Sequence, residues 1–593
     1  MDKTTNKPLM VEGKEITAET TFTAKEKNGE VTMDFIFNPK GLDGKELVVF
    51  EKIYNSKSKL VGIHEDINDK EQTVQVPSLK TKAEYAGTTV SNNNKTVTIK
   101  DTVSYTNLIV GKEYTVNGKL MDKTTKKPLT YNGKEITATK TFTPTQKDGR
   151  IEVTFNAPVD VVAGKTIVVF EDLNRDGELI VTHYDINDQE QTVSNPKLKT
   201  KAELFGAEKN DSNKIITIKD TVSYEKLIKG EKYTVSGILM DKSTNKPFLV
   251  EGNEVKGETT FTAENTSGNV IVEFKVPLNA IAGKTLVVFE DLKKDGKLIT
   301  VHHDINDKEQ TVHVPEIGTK AELFGAKKDD TIQTMTIKDT VSYKNLEINK
   351  KYTVNGVLMD KSTNKPLMVN GKKVTSTKTF TPKTTNGNIV VEFTVPMEAV
   401  KGKTLVVFED LSKDGKLVGM HHDINDKNQI VDIPKISTTA NFEDKSKESL
   451  VGEKMTIVDK VTYSNLIVGK EYTVNGYLMD KKTNKPLLIN GEKVTSTLTF
   501  KAPSKDGFVE LKFEVPGKAV ANKTLVVFED LEENGKTIAT HHDINDAEQT
   551  VKVRTPELPK TGLNNTSLIS VLISFISLAG IFGYIVPFKK KYD

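Results

Sequence analysis

Thr96–Tyr105 reads TVTIKDTVSY. Apolar and polar residues alternate along it, which is the period of an extended strand and not of a helix. Val97, Ile99, Val103 and Tyr105 fall on one face. Asp101 falls on that face too, where a simple amphipathic strand has no use for a carboxyl. The phrase KDTVSY returns at Lys219 and at Lys338, and as DKVTY at Asp459. The chain is therefore an internal repeat, and the repeat decides the fold.

Other phrases keep the same period. LMDK recurs with its methionine at Met121, Met240, Met359 and Met479. VVFE recurs with its glutamate at Glu51, Glu171, Glu290, Glu409 and Glu529. The closing phrase, HHDINDKEQTV at His302–Val312, carries its glutamine at Gln72, Gln191, Gln310, Gln429 and Gln549, at spacings of 119, 119, 119 and 120. A period of that size is a domain, so the chain is a tandem array and not a solenoid of small repeats. Each unit holds roughly seven short alternating stretches in about 110 residues, divided by Gly, Asn, Asp and Lys turns, and none shows a long helical period. The expected fold is all-β: a tandem array of Ig-like β-sandwich domains. The expected units are 1–76, 77–195, 196–314, 315–434 and 435–555, followed by a C-terminal segment 556–593. The joints VPSLKT, NPKLKT, VPEIGT and IPKIST each carry one proline and no flexible run, which predicts a rather stiff string. Met1-Asp2-Lys3 aligns with Met121-Asp122-Lys123, well inside a unit. The first unit is thus expected to lack its opening strands, with any signal peptide and ligand-binding region upstream.

Composition narrows the function. Of 593 residues, 84 are basic and 82 acidic, mixed along the chain, for a net charge of +2. No electrostatic footprint for nucleic acid results. There is no cysteine, which excludes disulfides and thiolate metal sites. No glycine-rich phosphate loop follows a strand, and no cofactor or metal is expected. The doubled His302-His303 is Tyr184 or Glu65 at its second position in other copies, so it is no general metal site. DIND lacks the glycine and distant glutamate of an EF-hand and reads as an Asx-capped turn.

Parity then singles out polar residues on the inward face. In LKTKAE, Thr81 lies with Leu79 and Ala83; in TIVVFE, Glu171 lies with Ile167 and Val169; in ELIVTH, His183 lies with Leu179 and Val181; in EQTV, Gln191 lies with Val193. With Asp101 this makes five. The next units repeat the set as Thr200, Asp220, Glu290, His302 and Gln310; as Thr319, Asp339, Glu409, His421 and Gln429; and as Thr438, Asp459, Glu529, His541 and Gln549. Buried polar groups are costly unless paired. The plain reading is a hydrogen-bond cluster that sets strand register. The chemical reading is acyl transfer, because the set contains a hydroxyl nucleophile, an amide electrophile, two carboxyls and a histidine.

On these motifs the units resemble the ester-bond domains, also called VaFE repeats, in the stalks of Gram-positive adhesins. The matching residues are Thr-x-Ala in LKTKAE, KDTVSY, VVFE and the closing His-x-Asp-x-Asn-Asp-x-x-Gln-Thr. The resemblance implies intramolecular esters Thr81–Gln191, Thr200–Gln310, Thr319–Gln429 and Thr438–Gln549. It gives the proton traffic to Asp101, Glu171, His183 and their equivalents in the other units, each unit reacting once on itself. The first unit has Glu51, His64 and Gln72 only. A Lys–Asn isopeptide is the weaker alternative, since Lys100 has outward parity and EQTV offers no asparagine.

The C-terminal segment resembles a cell-wall sorting signal. Leu558, Pro559, Lys560, Thr561 and Gly562 form LPKTG; Leu568–Pro587 is 20 residues without a charge; Lys589, Lys590 and Lys591 follow. The resemblance implies cleavage by a sortase between Thr561 and Gly562, attachment of Thr561 to peptidoglycan, and a place on the surface of a Gram-positive bacterium. The membrane is met only through that span before sorting. The expected function is an adhesin stalk holding an upstream region away from the cell. The alternatives are repeats that themselves bind a host or matrix ligand, and a secreted enzyme that turns the same five residues on external substrates.

Overall fold

The computed structural model describes residues 1–38, 40–91, 94–208, 212–327 and 333–557. Leu558–Gly562 and the apolar span Leu568–Pro587 lie outside the described residues. Among the described residues, no helix is long and apolar enough to cross a membrane.

The alternating stretches form strands, and four copies of one arrangement follow one another. In the first, Ser78–Ser91 and Asn94–Thr106 make a long hairpin, and Gly149–Pro158 pairs with the other side of the second strand. This is a three-stranded antiparallel sheet. The second sheet is built on Tyr114–Asp122 and Thr166–Arg175, which lie side by side. Thr137–Phe142 flanks the former, while Glu178–His183 and Thr192–Ser194 share the length of the latter. The inward faces close over one core. Ile99, Val103 and Phe155 come from the first sheet, and Val116, Leu120, Ile167, Val169 and Leu173 from the second, all fully buried. Two antiparallel sheets, each apolar on one face only, have this packing as their means of hiding both faces. Phe274, Phe393 and Phe513 take the place of Phe155 in the later cores. Burying such a ring stabilises by about 1.5–3 kcal/mol.

A single helical turn, Val159–Val162, interrupts the strands and recurs as Leu278–Ile281, Met397–Val400 and Gly517–Val520. Each is four residues long, too short to leave a helical period in the sequence.

One face assignment needs correction. Leu179 does not share the inward face with His183: it is 58% exposed. The pairing slips between Leu173 and Asn174, so Leu173 opposes Val181 and Asn174 opposes Leu179. A bulge shifts every residue beyond it to the other face, and alternation read through a bulge inverts.

In residues 1–76, Glu46–Val48 pairs with Thr73–Gln75, and Glu51–Tyr54 pairs with Leu60–His64. The buried core of that segment is Leu9, Leu42 and Leu47.

Candidate functional site

The register brings the five polar residues of a unit to one place between the sheets. Ala83 pairs with Asp101 and Thr81 with Val103, so Thr81 and Asp101 are diagonal neighbours on the inward face of the first sheet. On the second sheet Glu171 stands directly opposite His183. Gln191 immediately precedes the strand Thr192–Ser194. The two sheets are joined at this point, because the Ala83 N–H donates to the Glu190 carbonyl at 2.9 Å. Ala202 to Glu309, Ala321 to Asn428 and Ala440 to Glu548 repeat that bond at the same length. Opening and closing strands are thus neighbours in all four units.

Burial is nearly complete. Asp101, Glu171 and Gln191 and their equivalents are 0% exposed, and the four threonines no more than 8%. The Gln191 amide nitrogen donates to Glu171 at 2.6 Å, Gln310 to Glu290 at 2.6 Å, Gln429 to Glu409 at 2.9 Å and Gln549 to Glu529 at 2.8 Å. The Thr81, Thr200 and Thr319 hydroxyls are buried without a hydrogen-bond partner. Thr81, Thr319 and Thr438 lie close enough to the same glutamates to oppose the rise that burial imposes on their carboxyls. One carboxyl therefore binds the amide with the hydroxyl buried beside it.

The aspartate faces that glutamate. Both Asp101 oxygens and one Glu171 oxygen are buried without a fixed donor, as in the other three units. Two carboxylates cannot satisfy one another; a carboxyl and a carboxylate can, through one shared proton. Burial pushes Glu171 and Glu409 up to about 11, and the facing Asp101 and Asp339 add to the rise. Burial holds Glu290 and Glu529 well above the ordinary range. The aspartates rise by burial too, Asp459 to about 6, against the lowering hydrogen bond with their glutamates. At neutral pH the pair holds a proton on the glutamate side.

The histidine is the least enclosed member, with side chains 18% exposed at His183 and 22% at His421. It sits at the rim. Its Nε2 meets an aspartate five residues on: Asp188 at 3.1 Å, Asp307 at 2.9 Å, Asp426 at 2.8 Å and Asp546 at 3.2 Å. Its Nδ1 points inward, and in the last unit lies 3.4 Å from the Thr438 hydroxyl. Burial lowers His541, with Asp546 opposing the shift.

Two features escaped the sequence reading. The second aspartate of the closing turn does more than shape it. One Asp188 oxygen caps the Glu190 N–H at 2.8 Å while the other holds the histidine. Its recurrence in every copy, Asp69 beside His64 included, was the available signal. The second feature is the glycine opposite each glutamate: Gly118 pairs with Glu171, Gly237 with Glu290, Gly356 with Glu409 and Gly476 with Glu529. A Cβ on Gly118 would lie 2.4 Å from the Phe155 ring. The missing side chain lets the ring descend beside the carboxyl and dry it.

The first segment holds a partial set. Glu51 pairs with His64 and accepts from Gln72. The scattered lysines stay outside; Lys100 reaches Glu152 on the exposed face at 2.9 Å. Among the described residues, no cluster of three or more His, Asp or Glu side chains is arranged to hold a metal.

A family model described as T-Q ester bond containing domain matches residues 1–76, 77–195, 196–314, 315–433 and 434–553. No curated protein matches the chain. Among solved structures, similarity extends to a bacterial adhesin from Mobiluncus mulieris containing intramolecular disulfide, isopeptide and ester bond cross-links. That match has 16% identity and covers 37% of this chain and 81% of that one, with a TM-score of 0.18. A tetra-tandem repeat from the extending region of a large adhesion protein is similar at 12% identity, with 79% and 99% covered and a TM-score of 0.16. Escherichia coli alpha-2-macroglobulin is similar at 12% identity, with 82% and 46% covered and a TM-score of 0.18. Likenesses at these scores carry no functional reading.

Proposed function

Since the chain belongs to the family of T-Q ester bond containing domains, matched five times along its length, we propose that it is the stalk of a bacterial surface adhesin, each complete unit crosslinked by its own Thr–Gln ester. The supporting observation is the single buried glutamate that accepts from the glutamine amide beside a buried, unpartnered threonine hydroxyl and a second carboxyl.

The reaction follows from the groups present. His183 and His302, their Nε2 held by Asp188 and Asp307, have Nδ1 without a partner and open to the threonine proton. His541 Nδ1 already meets the Thr438 hydroxyl, whereas His421 Nδ1 meets the Ile317 carbonyl at 3.2 Å and must turn from it first. The Thr81 oxygen forms a bond to the Gln191 carboxamide carbon, and negative charge develops on the amide oxygen. A protonated Glu171 presents an O–H to that oxygen once the carboxamide turns over, which places the proton where charge appears. The carbon–nitrogen bond then breaks, and the nitrogen leaves as ammonia with the proton that the histidine took from the threonine. An ester replaces an alcohol and an amide, and atoms balance with nothing added. Burying hydroxyl and amide in one site of a folded unit supplies the effective concentration. Each site reacts once, so the chemistry is self-processing and not turnover.

Intact mass of the full chain tests this. The expected deficit is four ammonias, falling to three in Thr81→Ala, Thr200→Ala, Thr319→Ala or Thr438→Ala. A folded chain with no deficit would overturn the crosslink.

The attachment belongs to the same proposal. LPKTG at Leu558–Gly562, the span Leu568–Pro587 and the lysines behind it are the parts a sortase needs to join Thr561 to peptidoglycan on a Gram-positive cell. Thr561→Ala is expected to move the protein from the wall fraction to the membrane or medium. Retention in the wall would count against sorting.

A further inference from the structure

The opening strand of three units ends in an unusual way. Its pairing slips between Tyr85 and Gly87, between Leu204 and Gly206, and between Leu323 and Gly325. The glycines have φ of +134°, +82° and +107°, a region that other residues rarely enter. Beyond each bulge the chain lies against the following unit, always on the strand that ends in the site histidine. Ala207 and Leu417 exchange N–H to carbonyl bonds of 2.8 and 2.9 Å across the joint. Thr88 donates to the Ile299 carbonyl at 2.6 Å. Thr540 donates to Gln333 at 2.5 Å.

Two of the three glycines are needed for this approach. A Cβ on Gly206 would stand 2.8 Å from the Leu417 oxygen, and one on Gly325 3.0 Å from Lys536. The bulge also turns Phe205 outward, between Lys219 of its own unit at 4.2 Å and Lys416 of the next at 5.6 Å. Phe324 sits likewise between Lys338 at 3.5 Å and Lys536 at 3.4 Å.

Two internal comparisons give the contact meaning. The strand Glu178–His183 has no hairpin on it among the described residues, and its Leu179 is 58% exposed. The matching Leu417 and Thr537, under their hairpins, are 1% and 6% exposed. The last unit is followed by no further unit of this type in the chain, and it has Glu443 and Asp444 where the others have Phe-Gly or Ala-Gly. There the opening strand stops at Phe442, the chain turns on Asp444, and Glu448–Leu450 pairs in parallel with the unit's own closing strand, Thr550–Arg554.

We infer that the glycine bulge is a docking element whose partner is the histidine-bearing strand of the next unit. This docking holds consecutive units at a set angle, while the last unit carries a sequence that declines to dock. The crosslink is not needed for this inference. The short proline joints limit reach, but the bulge fixes direction.

The chain has no cysteine, so introduced ones are unique labelling sites. Lys256→Cys and Lys372→Cys, both exposed and in adjacent units, are spin-labelled in the full chain and their distance distribution is measured. Installing the last unit's residues, Phe205→Glu with Gly206→Asp, is expected to broaden that distribution at least twofold while the thermal transition of the sheets stays in place. An unchanged width overturns the inference. Should the pair of changes lower the transition, the single change Phe205→Ser, at an exposed ring, decides in the same way: broadening supports docking, and an unchanged width overturns it.

Discussion

At the scale of the residue, the unit's chemistry rests on keeping polar groups dry and partnered. A proton sits between Asp101 and Glu171 because the unfolded alternative, two hydrated carboxylates, is not available inside. The sign of the linkage follows. The folded unit keeps a proton that the unfolded chain releases above about pH 4.5, and Glu171 holds it up to about 11. An unreacted unit therefore loses stability as pH rises through that window. In the quadruple variant Thr81→Ala, Thr200→Ala, Thr319→Ala, Thr438→Ala, the denaturant midpoint is expected to fall from pH 5 to pH 9; a flat or rising midpoint contradicts the shared proton. The histidine gives a second expectation. Asp188→Asn keeps the shape of the turn but offers Nε2 an amide in place of a charge, so the unit 77–195 is expected to close its ester about 10²–10⁴ times more slowly. The time course of ammonia loss by mass reads this directly, with the other three units as internal standards.

At the scale of the element, a glycine sets how close a ring can come. Gly118 lies in the middle of Tyr114–Asp122, where glycine weakens a strand unless something needs the space. Phe155 needs it. Gly118→Ala is expected to displace the ring, destabilise the unit by about 1–3 kcal/mol and admit water to the carboxyls. Calorimetry on the chain reads the first effect. Ester survival during prolonged incubation at mild alkaline pH reads the second, with unit 77–195 expected to lose its bond before the other three. Equal survival in all four would show that the ring does not guard the ester.

At the scale of the whole molecule, each proposed Thr–Gln ester would tie the strand where force enters a unit to the strand where it leaves. The opening and closing strands are already neighbours through the Ala83–Glu190 bond and its repeats. An ester there closes a loop of about 110 residues and removes unfolded-state entropy worth roughly 4–5 kcal/mol on the chain-entropy account of crosslinks. Pulled end to end, the four complete units are expected to give no unfolding steps. Thr200→Ala is expected to release one step of about 380 Å, the extended length of such a loop. Steps of that length from the unaltered chain would remove the mechanical role.

Much of this was legible in the sequence. The period of the phrases announced the units, alternation announced strands, and parity placed Thr81, Asp101, Glu171 and Gln191 inward in agreement with their burial. These are local properties of an extended chain: period two follows from backbone geometry wherever the strand runs unbroken. What alternation could not carry was anything set by contact between strands far apart in sequence. The bulge that turns Leu179 outward, the aspartate that grips the histidine while capping its own turn, and the glycine emptied for a ring all depend on which strands pair and in what register. The joint between units belongs to the same class. No motif in the sequence singles out Phe205 and Gly206, and only the neighbouring unit, packed against them, gives those two residues a purpose.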